Sequence, residues 1–378
     1  MDMFLENELI FKVLYYTFIV SVSVQLFYYL FFYSRIIFRN TKKNIEIADF
    51  PPVSVIIAAR NEGANLEKFL PAFLEQDYPD FRVIVVNDAS TDDSATVLAF
   101  MKQKYDNLYI TNIPYDEKFR HGKKTALTIG VKAAETDILV FSDADCEPAS
   151  NQWLKNIASN FDSKTQFVIG FGAYKKAKGL LNKILRNDTV AIAMNYLNFA
   201  LAKIPYMAVG RNMAYRKSLF MEKRGFAGHL NVLSGSDDLF VNSNANSKNI
   251  KVELSKESFT YSIPKTTYKE WKEQKIRHLT TSKFYKFKHK FLLSLEPFSR
   301  ILYYVTGVLF LAHSVFLMEI ISLFSIRFLF FCVTLYVTNR KLNQKRLFLS
   351  GIIFDVIQPL INLFFLIFAK TRKELLWK

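Results

Sequence analysis

The chain has 378 residues, of which 51% are hydrophobic and 37 are Phe, and it carries a formal net charge of +16. That length allows one domain of ordinary size plus membrane elements, and the charge calls for an anionic partner such as phospholipid or a nucleotide. Nucleic acid is set aside because the basic residues cluster beside hydrophobic spans, where lipid headgroups suit them better. Cys146 and Cys332, the two cysteines, offer neither a disulfide framework nor a zinc spacing.

The first apolar stretch runs from about Leu9 to Tyr33, with Asp2, Glu6 and Glu8 before it and Arg35, Arg39, Lys42 and Lys43 after it. It is too long and wrongly flanked for a cleaved leader, so residues 1–36 are expected to form an uncleaved anchor. The positive flank assigns the next domain to the cytoplasm. After Pro51-Pro52, apolar runs at Val53–Ala58, Phe81–Val86, Leu108–Ile113 and Asp137–Phe141 read as buried strands. Between them, Ala64–Glu75, Asp92–Lys104 and Lys123–Ala134 read as helices. This βαβα order predicts an α/β domain over residues 51–260, a doubly wound sheet with ligands at the carboxyl ends of its strands.

From Lys265 to Lys290, lysines alternate with Tyr268, Trp271, Ile276, Leu279, Phe284, Tyr285 and Phe287. Residues 261–298 are therefore expected to lie in the headgroup layer. Apolar stretches near Ile301–Met318, Ile320–Thr338 and Leu347–Ala369 make 299–378 a transmembrane region. Three crossings there would carry Lys370, Arg372, Lys373 and Lys378 away from the cytoplasm, against the positive-inside tendency. Asp355 and Pro359 interrupt the last stretch, which leaves a re-entrant course open.

The chemistry-bearing residues fall at strand ends. Asp143-Ala144-Asp145 closes the fourth strand with two carboxylates one residue apart, an arrangement suited to a hard divalent cation that bridges phosphates. Asp88 ends the second strand, and the acidic pair Asp237-Asp238 and Gln274-Lys275-Ile276-Arg277-His278 follow later.

Five segments in this order resemble the family 2 glycosyltransferases, membrane-associated enzymes of GT-A fold. They are Val53–Glu62, Val85–Asp92, His121–Leu127, Phe141–Asp145 and Gln274–His278. The resemblance implies inverting transfer of a single sugar from a nucleotide-sugar, taken as UDP-linked, to a hydroxyl acceptor that is lipid-linked or membrane-proximal. By the same resemblance, Asp145 holds Mn²⁺ or Mg²⁺ and Asp143 shares the ion or reaches the ribose. Asp88, Glu62 and Lys123 would line the nucleotide site, and Arg277, with Gln274, would clamp the diphosphate.

The general base would come from Asp237 or Asp238, Asp237 being preferred. Here the chain departs from the family pattern, since Ser236 stands where the base is usual. His278 stands in place of a Trp, removing a sugar-stacking surface and weakening the case for a processive polysaccharide synthase. An inactive nucleotide-sugar-binding scaffold is the reading from another class. The expected location is the inner (cytoplasmic) membrane, with the catalytic domain in the cytoplasm and the oligomeric state open.

Overall fold

The computed structural model describes residues 2–40, 50–116, 121–232, 234–314 and 316–369. Lys42, Lys43, Lys370, Arg372, Lys373 and Lys378 lie outside the described residues, as do the side chains of Asp2, Glu6 and Glu8. The chain opens with α1 (Asp2–Phe27), which passes through a π-helical stretch, Tyr28–Tyr33, into α2 (Ser34–Phe38). A π-helical stretch shifts the backbone pairing of the turn that follows. The Ile36 amide there donates to Asn198 Oδ1 at 2.7 Å, and the Tyr33 hydroxyl donates to Asn195 Oδ1 at 2.7 Å.

Strands β1 (Val53–Ala59), β2 (Phe81–Asp88), β3 (Leu108–Ile113) and β4 (Ile138–Asp143) alternate with α3 (Gly63–Leu74), α4 (Ser94–Lys104) and α5 (Lys123–Ala133). Strands buried on both faces must be apolar on both faces. Val53, Val55 and Ile57 accordingly pack in one core with Leu66, Leu70, Leu98 and Met101. Ile56, Ile84 and Val86 pack in the other core with Ala126, Leu127 and Val131. The four strands are parallel in the order β3-β2-β1-β4. Their carboxyl ends therefore share one edge, with Ala58 in register with Val86 on one side and Asp143 on the other.

The second half uses shorter pieces. β5 (Cys146–Pro148), α6 (Trp153–Ala158), β6 (Phe167–Ile169), β7 (Gly172–Tyr174) and α7 (Leu180–Leu201) come first. β8 (Met213–Arg216), α8 (Lys217–Glu222), α9 (Asp238–Asn244), β9 (Ile250–Val252) and β10 (Thr260–Ser262) follow. The main sheet continues β4-β8-β6-β9, with β8 antiparallel to both neighbours, and β5-β10-β7 forms a small second sheet. The result is a mixed α/β sheet with long apolar helices at both ends of the chain.

Four further helices follow: the short basic α10 (Tyr268–Leu279), then the long α11 (Phe287–His313), α12 (Leu317–Lys341) and α13 (Phe348–Ala369). The basic stretch expected to lie in the headgroup layer is thus divided between two helices. A capping box of Thr267 and Glu270 starts α10, and α11 begins at Phe287 and runs on into the apolar stretch. Among the described residues, three helical stretches are long and apolar enough to cross a membrane: Leu9–Phe38, Leu317–Lys341 and Lys345–Ile367. One hydrophobic core joins the sheet to this bundle, since Tyr28, Phe32, Ile36, Phe331 and Leu335 share a cluster with Ile56 and Phe141.

Inside the bundle, Asp355 holds four helices together. Its carboxylate accepts from Arg300 at 2.9 Å, from the Tyr304 hydroxyl at 2.5 Å and from Arg327. Arg327 also donates to Gln25 Oε1 at 3.0 Å, and Gln25 donates to Ser299 Oγ at 2.9 Å. Removing one partner of a buried pair leaves an uncompensated charge, costing about 3–5 kcal/mol. Asp355→Ala, which strands two arginines, is expected to lower the melting temperature of the detergent-solubilised protein by at least about 5 °C. The exposed Glu319→Ala is the control, and equal melting of the two variants would refute a structural role for Asp355.

Candidate active site

The site is assembled at the shared carboxyl edge of the parallel strands, where the backbone leaves regular structure. Asn61 after β1 and Ala89 after β2 both adopt positive φ, at 54° and 50°. Such turns in non-glycine residues persist only where neighbours hold them. Here the two loops hold each other: the Asn61 amide donates to Ser90 Oγ at 2.9 Å, and the Thr91 amide donates to Asn61 Oδ1 at 2.8 Å. Asp92 extends the lock by accepting from the Gly63 amide at 2.9 Å. A Cβ on Gly63 would sit 1.8 Å from Asp93 Oδ1, so a side chain there would have to displace Asp93.

Asp88 is fully buried, with one oxygen 2.6 Å from His121 Nδ1 and the other without a hydrogen-bond partner among the described residues. Tyr115 stacks on His121 at 5.5 Å and an interplanar angle of 4°. Asp88, His121 and Tyr115 together form a carboxylate–imidazole pair capped by a parallel ring. His121 lay within a sequence segment already singled out, but its partner lies 33 residues away and only the fold pairs them.

Ligand atoms of Asp143, Asp145 and Cys146 lie within 4.8 Å of one another. Burial raises the Asp145 carboxyl and the charge of Asp143 raises it further. Burial also acts against ionisation of Asp143, but the Lys123 ammonium, bonded to it, outweighs that, and Arg211 and Arg277 add to the lowering. Burial and the two neighbouring carboxylates hold the Cys146 thiol well above its usual range. It pairs with Ser262 Oγ at 3.0 Å and stays protonated. The ligand set is therefore two carboxylates under mutual repulsion, which suits a hard divalent cation such as Mn²⁺ or Mg²⁺. Glu62 stands close by: burial raises its carboxyl, Asn65 donates to it at 2.5 Å and lowers it, and the charges of Asp145 and Asp143 raise it again.

One cavity is lined by Lys123, Asp143, Gly210, Ser236 and Asp237. Asp237 Oδ2 accepts from the Gly210 amide at 2.7 Å, and a Cβ on Gly210 would crowd that oxygen at 3.2 Å. Asp238 does not line this cavity. Its Oδ2 accepts from Thr281 Oγ1 at 2.5 Å and from the Tyr285 hydroxyl at 2.8 Å, fastening α9 to the segment between α10 and α11. Burial and the charge of Asp237 push the Asp238 carboxyl up to about 6. Two adjacent acids thus face in different directions, a distinction invisible in sequence.

α10 is seated by a buried ion pair in which Lys275 donates to both oxygens of Asp188, at 2.6 and 2.7 Å. Gln274 accepts from the Tyr174 hydroxyl at 3.1 Å, and Tyr174 in turn carries the Arg211 guanidinium 5.0 Å from its ring centre. Gly172 makes room for Arg211, because a Cβ there would lie 2.4 Å from its Nε. Arg277 is half-buried, and its charge is felt at Asp143, Lys123 and His278. The His278 imidazole keeps an open edge, yet the protein packed around it and the cations Arg277, Arg211, Lys275 and Lys123 hold it neutral, below its usual range. In sequence, Gly210–Tyr215 resembles the acceptor-facing segment of the family, but Arg211 itself was not among the expected site residues.

Residues 54–223 match the profile described as Glycosyl transferase family 2. The chain is 32% identical over 199 residues to the probable glycosyltransferase YdaM of Bacillus subtilis (strain 168), covering 50% of this chain and 46% of that protein. It is 34% identical over 122 residues to the glycosyltransferase AglE of Haloferax volcanii, covering 32% of this chain and 38% of that protein. A poly-beta-1,6-N-acetyl-D-glucosamine synthase of Staphylococcus aureus (strain COL) is 26% identical over 148 residues, covering 38% of this chain and 34% of that protein. The chain thus spans less than half the length of these curated relatives. In three dimensions it is similar to the mannosyltransferase PcManGT from Pyrobaculum calidifontis, solved in complex with GDP-Man and Mn²⁺. That match has a TM-score of 0.56 at 17% identity and covers 92% of this chain and 99% of the other, a likeness of fold. With a GT-A-type sheet and an acidic pair at the end of β4, residues 54–223 form a glycosyltransferase family 2 domain.

Proposed function

We propose that this chain is an inverting glycosyltransferase of class EC 2.4 that moves one sugar from a nucleotide-sugar to a lipid-linked or membrane-proximal hydroxyl. The observation that carries the reading is the cavity bounded by Lys123 and Asp143 on one side and by Ser236 and Asp237 on the other. In an inverting displacement the acceptor oxygen forms its bond to C1 on the face opposite the departing diphosphate. Asp237 is the base that takes the acceptor proton, held in place by the Gly210 amide. Asp88, with His121 and Tyr115, receives the nucleoside, and Glu62 belongs to the wall of the same site. Arg277 receives the negative charge that develops on the leaving diphosphate, with Arg211 seated close by.

Asp143 and Asp145 would hold the divalent cation, which would neutralise the same leaving charge. The Mn²⁺ bound by PcManGT supports this reading. The donor is taken as UDP-linked, and the GDP-Man held by PcManGT makes a GDP-linked sugar the competing choice. The seating of α10 against the globular domain, beside the apolar helices, supports a membrane-proximal acceptor, and Arg35 and Arg39 after the first apolar stretch favour a domain in the cytoplasm. Similarity to a poly-N-acetylglucosamine synthase favours polymerisation as a second reading, and His278 in place of a sugar-stacking Trp weighs against it.

Incubating the purified protein in lipid with Mn²⁺ or Mg²⁺ and a panel of UDP- and GDP-sugars tests the reading. Nucleoside diphosphate release from one donor, reduced at least about 100-fold in Asp145→Ala and Asp237→Asn, is the expected result. Binding of a donor without turnover in any lipid extract would favour the scaffold. Product length by mass spectrometry separates single transfer from polymerisation.

The two acids are separated by a further experiment. Asp238→Asn retains turnover within about tenfold, since its carboxylate faces Thr281 and Tyr285. Because the folded carboxyl is raised from 3.8 to about 6, its contribution to stability is fully present below about pH 3.8 and fades as pH rises through about 6. That contribution is about 3 kcal/mol at most, and denaturation of Asp238→Asn should lack it across this window. Loss of turnover in Asp238→Asn with retention in Asp237→Asn would reverse the assignment.

A further inference from the structure

α1 and α11 lie side by side in opposite directions over their whole length. Phe11 meets Phe310 at 6.5 Å, Phe18 stacks on Tyr303 at 5.9 Å, and the Tyr28 hydroxyl donates to the Leu292 carbonyl at 2.5 Å. α12 runs with α1: Tyr15 meets Phe316 at 4.8 Å, Phe18 meets Phe324 at 5.7 Å, Tyr29 meets Phe331 at 6.4 Å, and Lys341 donates to the Ile37 carbonyl at 3.0 Å. The turn between α11 and α12 therefore stands at the Phe11 end of α1, remote from the globular domain. If α1 and α12 cross a membrane, α11 crosses with them, although Glu296 and Arg300 dilute its apolar character. Those two charges are paired within the bundle.

α13 behaves differently. Its first turn is bonded to the globular domain through Asn187 Nδ2, which donates to Ser350 Oγ at 2.9 Å. Its last turns rest on α10, with Phe365 edge-on to Trp271 at 5.2 Å, and α10 is itself pinned to Asp188 of α7 through Lys275. Between them, Gln358 and Asn362 share a cavity with Asn195 of α7. A bilayer crossing needs about 30 Å of displacement along the normal. The rise from Ser350 to Phe365 is about 22 Å, and both ends are tied to α7, directly at Ser350 and through α10 at Phe365. The faces are also sorted. Leu349, Ile353, Val356, Leu360, Leu363 and Ile367 form one exposed apolar stripe at helical spacing. Asp355 and Gln358 point inward to Arg300.

We infer that α13 does not cross the membrane but lies along the membrane-facing side of the globular domain, its apolar stripe set into the acyl chains of the leaflet on that side. The crossing helices are α1, α11 and α12. Length and composition alone select α13 instead of α11, because a helix in the membrane plane and a spanning helix can share an apolar content. The inference also removes the charge conflict in the sequence. Lys370, Arg372, Lys373 and Lys378 then stay on the side of Arg35, Arg39, Arg340 and Lys345, as the positive-inside tendency requires.

The test uses the full chain with Cys332→Ala, in which Cys146 is buried, reconstituted into sealed vesicles of known sidedness. Single cysteines are placed by Lys104→Cys on the globular domain, Ser314→Cys in the α11–α12 turn and Lys373→Cys in the tail, and are labelled with a membrane-impermeant maleimide. Labelling of Lys373→Cys together with Lys104→Cys, and of Ser314→Cys from the opposite side, is expected. Labelling of Lys373→Cys together with Ser314→Cys overturns the inference, and labelling of all three from one side overturns the crossing of α11. Nitroxides at Leu349→Cys, Ile353→Cys, Leu360→Cys and Ile367→Cys supply a second readout by their relative accessibility to oxygen and to a water-soluble nickel complex. All four depths fall within one leaflet if α13 lies in the plane, and a ramp through the bilayer centre refutes it. Neither readout depends on turnover, so failure of the proposed chemistry would leave this result standing.

Discussion

Repulsion between Asp143 and Asp145 organises the site. A strand buried on both faces delivers the first carboxylate to the sheet edge, and the next turn places the second within a few ångströms of it. Two like charges in a partly dehydrated place cannot both remain ionised without compensation. Lys123, Arg211 and Arg277 come from three separate elements, and the charge of each lowers the Asp143 carboxyl. Were a divalent ion to satisfy the carboxylates, as proposed, the same cations would form an anion-binding wall. A diphosphate would then be met by positive charge that the protein already needs for its own electrostatic balance.

The acceptor side depends on the membrane helices through a short chain of contacts. Asp238 is tied to Thr281 and Tyr285 just before α11 begins, and Tyr285 packs on Tyr206, which packs on Phe199. Phe199 stacks on Phe32 of the π-helical stretch at 4.3 Å. The turn that carries Asp237 is therefore braced against the first membrane helix by aromatic packing and buried hydrogen bonds. Displacement of that helix would be transmitted to Asp237 by close-packed rings with little room to yield.

The parallel half of the fold was legible because its physics is local. Strands buried on both faces read as unbroken apolar runs, and the boundaries expected for β1 to β4 and for α3 to α5 agree with the structure to within two residues. The second half was not legible, because β5, β6, β7, β9 and β10 are three residues each and too short for a period to register. At the site, residue types at strand ends could be read, but pairings could not. His121 with Asp88, Lys275 with Asp188 and Arg211 with Tyr174 join positions 33 to 87 residues apart. Asp237 and Asp238 differ only in the direction their side chains leave the backbone.

The polar network around Asp355 gives the membrane bundle a different logic from the globular core. Lipid offers no hydrophobic drive for helices to associate, so their packing rests on close contact and interhelical hydrogen bonds. Arg327 is fully buried and lies over the rings of Tyr29, Tyr303 and Phe331 at 5.2–5.3 Å as well as against Asp355. A guanidinium so placed is satisfied only if α1, α11, α12 and α13 all hold their positions, because each supplies one or more of its partners. Charge that would be costly in hydrocarbon thereby becomes a constraint on register. The helices can slide past one another only by exposing an arginine, and α13, which carries the answering carboxylate, is the element that locks the bundle to the catalytic domain.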